Sequence, residues 1–340
     1  MRLVYMDYGS ASPVDSRVLE AMIPYFDKDV GNPSSLHSSG RKAKRELEAA
    51  RSKVANLIGA PNPKSIIFTS CATESNNLAL RGAALRYKDK GNHIITTSIE
   101  HMSVMNPLKD LQRSGFEVTY IPVDKDGLVN AEQIKNAITE KTILISVMYA
   151  NGEIGTVQPI REIGEIASDR KILFHVDGTS AVGKMPVNVE EEHIDINIDI
   201  MTFSSNDIYG TKGVGALYIK QGVRVMPFML GGGQESGMRS GSLNIPGIVG
   251  MGKAAELAAN EIFKKLGLGM DEKGYIKTDK SQKTNIDGIY AVGDIASDIR
   301  LVVVAVAHGE TFAHNAYTEL RTAKTLLGIK ESFIITGRTW

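Results

Sequence analysis

The sequence predicts an α/β fold whose mostly parallel sheet carries helices on both faces. Between about residues 40 and 220, short β-branched runs alternate with longer amphipathic stretches. Strands separated by helices of this length are joined by crossover connections, which give parallel pairing and cover both sides of the sheet. Ligands of such sheets bind at the carboxyl ends of the strands, so the polar residues that end each strand are the candidate site.

The elements follow one another in a regular order. The helix "RKAKRELEAARSKVANLIG" leads into the strand "SIIFTS" and the helix "TESNNLALRGAALRY". Four further strands follow, with helices around "VMNPLKDLQRSG" and "PIREIGEIASDR": "HIITTSI", "EVTYIPV", "TILISVMYA" and "ILFHVDGTS". The stretch "MTFSSNDIYGTKGVGALYI" predicts a strand, a polar turn and a return strand, and the helix "IPGIVGMGKAAELAANEIFKKL" closes the region.

A change of sequence texture near residue 262 predicts a domain boundary. Residues 1–262 form the large α/β domain, and residues 263–340 form a short αβ tail. The tail begins like a hairpin, contains an apolar strand that ends at Asp294, and closes with a helix. In the large domain, "VDKDGLVNAE" suggests a calcium loop, but its glycine comes two residues too early for that spacing, so we predict a turn.

Composition limits the classes of function. The 39 basic and 39 acidic side chains give a formal net charge of zero, which offers no reason to expect a nucleic-acid partner. The single cysteine excludes an internal disulfide framework and indicates a reducing compartment. The N-terminus turns polar too soon for a signal peptide, and no apolar run reaches membrane-spanning length. We therefore expect a cytoplasmic protein without a membrane segment.

Two strand ends carry groups suited to a phosphate. In "FTSCATESNN", the backbone N–H groups of Ala72 and Thr73 and the Thr73 hydroxyl lie at a predicted helix N-terminus, which favours anions. Ordinary capping of that helix by Ser70 or Thr73 is the competing interpretation. The turn after "MTF" offers three further polar side chains: Ser204, Ser205 and Asn206.

Two other strand ends carry groups suited to a flat heterocycle. His101 directly follows a strand, where an imidazole can stack on a ring or move a proton, although a lone histidine is more often structural. Asp177 ends "ILFHVD", and a buried carboxylate needs a cationic or hydrogen-bonding partner such as a protonated pyridine nitrogen. Together the four strand ends indicate pyridoxal 5'-phosphate, whose enzymes also need a lysine as Schiff base.

Eight stretches, in family order over about residues 5–256, resemble the cysteine desulfurases of the class V aminotransferase group. They are "MDYGSASPVD", "GNPSSLHSSGRKAKRELEAAR", "FTSCATESNNLAL", "EHMSV", "NGEIGTVQPI", "HVDGTSAVGK", "SSNDIYGTKGVGALYI" and "GGGQESGMRSGSLNIPGIVGMGKAAELA". The resemblance implies the large domain of fold type I pyridoxal phosphate enzymes, with a homodimer whose active sites lie near the interface. It also implies conversion of L-cysteine to L-alanine, with sulfur passed to an iron–sulfur scaffold protein.

The same resemblance assigns roles by matching position. His101 resembles the ring-stacking histidine, Asp177 the partner of the pyridine nitrogen, and Asn151 the asparagine beside cofactor and substrate. Ser180 stands where a glutamine is usual, and Ser242 matches a residue that reaches the neighbouring subunit's phosphate. The remaining matches fall in the phosphate-binding segments: Ala72, Thr73, Ser204, Ser205 and Asn206.

The chain departs from the family pattern at the Schiff-base lysine. That position is Asp207, and a carboxylate cannot form an imine. Asp207 is then the candidate acid–base group in its place, and Lys212 is the nearest amine that could substitute. Cys71, the only cysteine, replaces a family glycine and is expected to be a small buried side chain rather than a relocated nucleophile.

The C-terminal part departs further. No stretch matches the family's catalytic-cysteine loop or its carboxylate-binding arginine, because Arg300, Arg321 and Arg338 lie in unrelated sequence. Residues 263–324 instead resemble the end of a thioredoxin reductase, where Asp294 would contact the ribityl chain of FAD. The chain lacks the GxGxxG turn and the Cys-x-x-Cys of that family, so we do not expect FAD to bind.

Three hypotheses follow. The leading one is a cysteine desulfurase-like protein that binds pyridoxal phosphate non-covalently and has impaired activity. The second is a catalytically inactive scaffold or dimer partner in iron–sulfur assembly. The third, a flavin-dependent oxidoreductase, depends on the tail alone.

Overall fold

The computed structural model describes residues 11–189 and 197–265, with short stretches at 269, 277–279, 283–285, 290–292 and 334–336. The chain divides into two compact units, residues 1–258 and 259–340. Within the described ranges, no helix combines the length and apolar character needed to cross a bilayer. The same ranges contain no group of three or more His, Cys, Asp or Glu side chains placed to hold a metal ion.

The first unit is built on a seven-stranded sheet with the spatial order β1-β7-β6-β5-β4-β2-β3. β7 pairs antiparallel with both of its neighbours, and every other pairing is parallel. The predicted mostly parallel sheet and the predicted return strand are therefore confirmed. The strands are β1 (Ile66–Thr69), β2 (His93–Thr97), β3 (Glu117–Ile121), β4 (Thr142–Met148), β5 (Leu173–Asp177), β6 (Ile200–Ser204) and β7 (Gly215–Ile219).

The longer helices of the described residues follow the predicted helical stretches of the sequence, and three short helices were not predicted. In the 20-residue helix after His37, the residues Ala43, Leu47, Ala50 and Val54 recur at intervals of three or four and are buried, while charged residues cover the opposite face. The helices are α1 (Ser16–Met22), α2 (Pro24–Asp27), α3 (Ser38–Leu57), α4 (Ala72–Tyr87), α5 (Met102–Arg113), α6 (Ala131–Ala137), α7 (Ile160–Asp169) and α8 (Ile245–Lys265).

The core that positions the strand ends lies between the sheet and two helices. α4 contacts β6 and β7, and α4 and α5 pack on each other. The apolar side chains Leu78, Leu80, Leu108 and Leu217 form part of one buried cluster at these contacts. Burial of an aliphatic side chain stabilises a fold by roughly 1.5–3 kcal/mol, so this cluster fixes the start of α4 against the end of the sheet.

A buried ion pair anchors the glycine-rich loop, residues 231–241, to the first unit. The Arg51 guanidinium donates two hydrogen bonds of 2.8 Å to the Glu235 carboxylate. Glu235 Oε2 also accepts from the Phe68 backbone N–H at 2.7 Å, and Arg51 Nη1 donates to the Ile66 carbonyl at 2.7 Å. The loop is thereby tied to α3 and to β1.

Of the second unit, the described residues show one strand pair. β8 (Tyr290–Val292) and β9 (Ile334–Thr336) pair in parallel. The predicted apolar strand of the tail is therefore present as β8. Of the hairpin-like start, only residues 269, 277–279 and 283–285 are described, and there the Lys277 N–H donates to the Gly269 carbonyl at 2.8 Å and the Asp279 N–H to the Lys283 carbonyl at 3.0 Å. The predicted closing helix and the other residues singled out in the tail lie outside the described residues: Asp294, Arg300, Arg321 and Arg338.

Candidate functional site

The strand ends lie at one edge of the sheet. β6 ends at Ser204 and β5 ends at Asp177, and the two strands are parallel neighbours. β4, whose last residue Met148 pairs with Asp177, is the next strand along. Because parallel strands all point their carboxyl ends to the same edge, the predicted site residues after these strands meet there.

Gly215 brings the start of α4 beside the polar turn after β6. It opens β7 and pairs with Thr69 at the end of β1 and with Ser204 at the end of β6. A Cβ at residue 215 would lie 2.5 Å from the Cys71 carbonyl carbon, so only glycine lets the strand approach the α4 turn this closely. Ala72, the first residue of α4, thus lies near residues 204–207.

No side chain caps α4. Its N-cap residue is Cys71, which forms no capping hydrogen bond, so the interpretation of Ser70 or Thr73 as an ordinary cap is wrong. Cys71 takes that position because its backbone is extended, with φ −174° and ψ 170°, and helical geometry begins at Ala72. Glu74 instead accepts from the Ser70 backbone N–H at 2.7 Å and pairs with Arg239. The first-turn N–H groups, including those of Ala72 and Thr73, remain without a side-chain acceptor.

The turn after β6 carries polar atoms that the fold does not use. The Ser204 hydroxyl donates to Oδ2 of Asp207, which is half-buried. Ser205 Oγ and Asn206 Oδ1 are buried and have no hydrogen-bond partner among the described residues. Buried polar atoms are nearly always hydrogen-bonded, so these two atoms point to a ligand.

A chain of hydrogen bonds joins His101 to Asp177. The Asn76 amide donates to Asp177 Oδ2 and to Ser103 Oγ, both at 2.8 Å, and Ser103 Oγ lies 2.7 Å from His101 Nδ1. The Thr179 backbone N–H donates to Asp177 Oδ1 at 3.0 Å. His101 Nδ1 also accepts from the Ser103 backbone N–H, so the neutral ring carries its proton on Nε2. His101 therefore both caps α5 and belongs to the site.

Asn151 and Ser180 lie at the same edge. The Asn151 amide donates to the Ile99 carbonyl at 3.2 Å, two residues before His101. Ser180 Oγ lies 3.0 Å from where a Cβ of Gly152 would be. The segments after β2, β4 and β5 are thus in contact.

Ser242 lies elsewhere. It is exposed and lines a cavity of about 250 Å³ together with residues 29–34, 243, 245 and 246, and none of the other predicted site residues lines that cavity. Lys212, the amine considered as a substitute for the Schiff-base lysine, is exposed.

A larger cavity of about 620 Å³ surrounds the turn at residues 122–133, and no predicted site residue lines it.

Cys71 and the stretch at residues 123–132 were both given structural expectations from the sequence. Cys71 is exposed, so the expectation of a small buried side chain is wrong, because an N-cap residue in this turn points away from the core. The stretch at residues 123–132 is a turn, as predicted: Asp124 accepts from the backbone N–H groups of Asp126 and Leu128, both at 2.9 Å.

Sequence reasoning missed three polar residues of the site. Asn76 follows Ala72 by four residues, a spacing that places it on the same face of α4, and Ser103 follows His101 by two. Glu100 directly precedes His101. It is 7% exposed, and its Oε1 accepts from Thr97 Oγ1 at 2.6 Å and from the Met148 backbone N–H at 2.9 Å. Burial, with a smaller contribution from Asp177, raises the pKa of Glu100 to about 8.

The raised pKa of Glu100 predicts a stability that falls with rising pH. An unfolded glutamate releases its proton near 4.5, whereas folded Glu100 keeps it to about 8, so alkaline pH favours the unfolded state between those values. Burial lowers the pKa of His175 to about 4, from a usual 6.5, so that residue contributes its own pH dependence only below about pH 6.5. Between pH 6.5 and 8, the free energy of unfolding is expected to fall by about 2 kcal/mol through Glu100.

Urea denaturation at several pH values in that window tests this prediction. Glu100→Gln mimics the neutral acid and is expected to remove the decline in unfolding free energy. Glu20→Gln, which changes an exposed side chain on α1, is expected to leave that decline unchanged. Equal slopes for the wild-type protein and Glu100→Gln would contradict the prediction.

Comparison with known proteins places this geometry in a family. The family model described as aminotransferase class V matches residues 4–324. Cysteine desulfurase IscS 1 of Archaeoglobus fulgidus is 57% identical over 263 residues, covering 77% of this chain and 67% of the relative. Cysteine desulfurase IscS of Methanosarcina thermophila is 49% identical over 261 residues, covering 77% of this chain and 63% of the relative.

Solved structures of similar proteins share this fold. A NifS-like protein superposes with a TM-score of 0.74 at 42% identity, covering 77% of this chain and 71% of that one. The structure titled "SspA in complex with cysteine" gives a TM-score of 0.71 at 38% identity, covering 80% of each chain. The chain spans 63–67% of the length of its curated relatives. It belongs to the class V aminotransferases, a family of pyridoxal phosphate-dependent enzymes whose members include the cysteine desulfurases it resembles.

Proposed function

We propose that the chain binds pyridoxal 5'-phosphate non-covalently at this edge of the sheet. It is then a cysteine desulfurase-like protein of iron–sulfur assembly whose desulfurase activity is impaired. The observation that carries the proposal is the turn after β6. There, two buried polar atoms, Ser205 Oγ and Asn206 Oδ1, have no partner among the described residues, and Asp207 stands at the position expected for the Schiff-base lysine.

The phosphate end of the cofactor fits the residues present. The uncapped N–H groups of Ala72 and Thr73 favour an anion through both hydrogen bonding and the helix dipole. The Asn206 amide supplies a further donor in its flipped orientation, whereas the fully buried Ser205 hydroxyl lies against Gly210 and would need to turn to reach the phosphate. Ser204 completes the turn by holding Asp207.

The ring end fits as well. Asp177, oriented by Asn76, would accept from a protonated pyridine nitrogen, and His101 would stack on the ring with Nδ1 held in its hydrogen bonds. Asn151 and Ser180 would contact the other ring substituents or the substrate. When bound, the cofactor supplies the electron sink for reactions at an amino-acid α-carbon. By contrast, the covalent linkage does not fit, since a carboxylate forms no imine.

The impairment follows from two residues. Asp207 replaces the amine that family members use, and Cys71, the only cysteine of the chain, lies at the α4 N-cap rather than on a catalytic loop. L-Cysteine is the proposed substrate, with L-alanine as product and an iron–sulfur scaffold protein as sulfur acceptor. Loss of a placed acid–base group costs about 10²–10⁴-fold in rate, so sulfide release is expected to be far below that of intact desulfurases.

The remaining parts of the proposal concern assembly. We propose a cytoplasmic homodimer in which Ser242 reaches the neighbouring subunit's phosphate. In support, Ser242 shares its cavity with Val30, an apolar side chain that is 68% exposed.

Residues 263–324 are proposed to derive from the C-terminal end of a thioredoxin reductase. A catalytically inactive scaffold or dimer partner in iron–sulfur assembly is the second candidate function, and the same Asp207 replacement favours it.

Equilibrium dialysis against pyridoxal phosphate tests the proposal. Saturable binding at one site per chain is expected, with no site-specific adduct after borohydride reduction and peptide mass spectrometry. Asp177→Asn removes a charge-assisted hydrogen bond to the ring, so binding is expected to weaken by about tenfold to a hundredfold.

Asp169→Asn is the matched control, because Asp169 ends α7 on the surface and is expected to leave binding unchanged. A single stable adduct on Lys212 would contradict non-covalent binding. Tight binding that is indifferent to Asp177→Asn would contradict the assigned ring site.

A further inference from the structure

The Asp207 carboxylate is an anion without a cationic partner. The described residues contain no lysine, arginine or histidine that forms an ion pair with it, and the Ser204 hydroxyl is its recorded hydrogen-bond donor. It is half-buried on a turn whose neighbours, Ser205 and Asn206, hold unpartnered buried atoms. A partly desolvated carboxylate in this setting is stabilised by a ligand that brings a positive charge.

The position of the turn defines which part of a ligand meets that charge. Ser204 and Thr69 both pair with Gly215, so a phosphate at the α4 N-terminus lies next to the turn that ends in Asp207. Asp177, on the adjacent strand, defines the ring-nitrogen side. Asp207 stands at the position of the family's Schiff-base lysine, so with the ring in the proposed orientation its carboxylate would lie beside the 4' substituent.

We propose, on the basis of the proposed function, that this site selects the amine form of the cofactor, pyridoxamine 5'-phosphate, over the aldehyde form. The aldehyde of pyridoxal phosphate is a hydrogen-bond acceptor, so it forms no hydrogen bond with the Asp207 carboxylate, which is also an acceptor. Residue 207 also offers no amine with which the aldehyde could form an imine. A 4'-aminomethyl group is a primary alkyl ammonium ion at neutral pH, and it donates charge-assisted hydrogen bonds to a carboxylate. In family members the protein carries the amine and the ligand carries the aldehyde. Here the protein carries a carboxylate, so the proposed ligand is the one that carries the amine.

The expected size of the preference follows from a single charge-assisted contact. Pyridoxamine phosphate is expected to bind about 10- to 100-fold more tightly than pyridoxine 5'-phosphate, whose 4' group is a neutral alcohol; this is about 1.4–2.8 kcal/mol. Pyridoxine phosphate has the same ring and phosphate, so it measures the pocket without the charge at the 4' position.

Equilibrium dialysis with pyridoxamine phosphate, pyridoxine phosphate and pyridoxal phosphate tests the proposal in the full-length chain. The wild-type protein is expected to bind the amine most tightly. Asp207→Asn, which keeps the shape of the side chain but removes its charge, is expected to lose the preference while retaining its affinity for pyridoxine phosphate, which also reports that the variant is folded.

The outcomes separate this proposal from the proposed function. Binding of pyridoxine phosphate and pyridoxamine phosphate with equal affinity would overturn the amine preference and leave the pocket intact. A preference that survives Asp207→Asn would also overturn it. Binding of none of the three compounds would overturn the proposed cofactor site together with this inference.

Discussion

Asp207→Lys is expected to turn a non-covalent site into one that bonds pyridoxal phosphate covalently. The substitution places a primary amine on the turn after β6, beside the uncapped start of α4 and at the position where the family has its lysine. Borohydride reduction followed by peptide mass spectrometry should find a near-stoichiometric adduct on residue 207, whereas the wild-type protein shows none. Affinity for pyridoxal phosphate should rise by about a hundredfold, or roughly 2.7 kcal/mol.

The control uses the exposed amine closest in sequence. Lys212→Arg removes that competing amine without changing the charge, and the adduct on residue 207 should persist in the double variant. An adduct spread over surface lysines, with residue 207 unmodified, would show that the turn does not face the aldehyde carbon of the cofactor.

Breaking the ion pair between Arg51 and Glu235 is expected to cost about 3–5 kcal/mol of unfolding free energy, because a buried charge loses its main partner. Among the described residues, Glu235 is then left without a cation in Arg51→Met, and Arg51 keeps only the half-exposed Glu48, at 3.3 Å, in Glu235→Gln. The side chains are only 8% and 1% exposed. The guanidinium also stacks over the Phe68 ring at 4.9 Å. Glu235→Gln and Arg51→Met should each show this loss in urea denaturation monitored by circular dichroism.

The exposed pair Arg161–Glu165 provides the matched comparison. These side chains are 58% and 43% exposed and lie one turn apart on α7. Arg161→Met should therefore change stability by no more than about 0.5 kcal/mol. A loss below 1 kcal/mol for both Arg51→Met and Glu235→Gln would show that the glycine-rich loop is held by other contacts.

Hydrophobic periodicity predicted most elements of the large unit but not their arrangement. The alternation of apolar runs located β1 to β6, the return strand β7 and the long helices, because most of these elements are largely buried; β3, at the edge of the sheet, is only partly buried. The short helices α1, α2 and α6 were missed, since four to seven residues give too few turns for a pattern. The insertion of β7 between β1 and β6 depends on contacts between distant residues, which no local pattern records.

For the candidate site, too, the sequence predicted some of the residues but not the contacts that connect them. Strand ends predicted where Asp177 and Ser204 lie, because a parallel sheet collects its carboxyl ends at one edge. His101 was expected directly after a strand, but β2 ends at Thr97 and His101 is the N-cap of α5. The link through Asn76 and Ser103 could not be predicted, because it joins α4 to α5 and β5 across the fold. The roles of the predicted residues stay predictions until binding is measured.

β7 is the last strand of the seven-stranded sheet to be synthesised, and it joins two strands that are far apart in the chain. Its register with β1 pairs Ile66 with Tyr218, about 150 residues away, and its other edge pairs with β6. Pairing between residues so distant in sequence comes late in folding. The hydrogen bonds that join the end of β1 to the end of β6 through Gly215 therefore form only after β7 has left the ribosome. A nascent chain paused before that point holds every other predicted strand of the sheet but lacks the strand that joins these two ends.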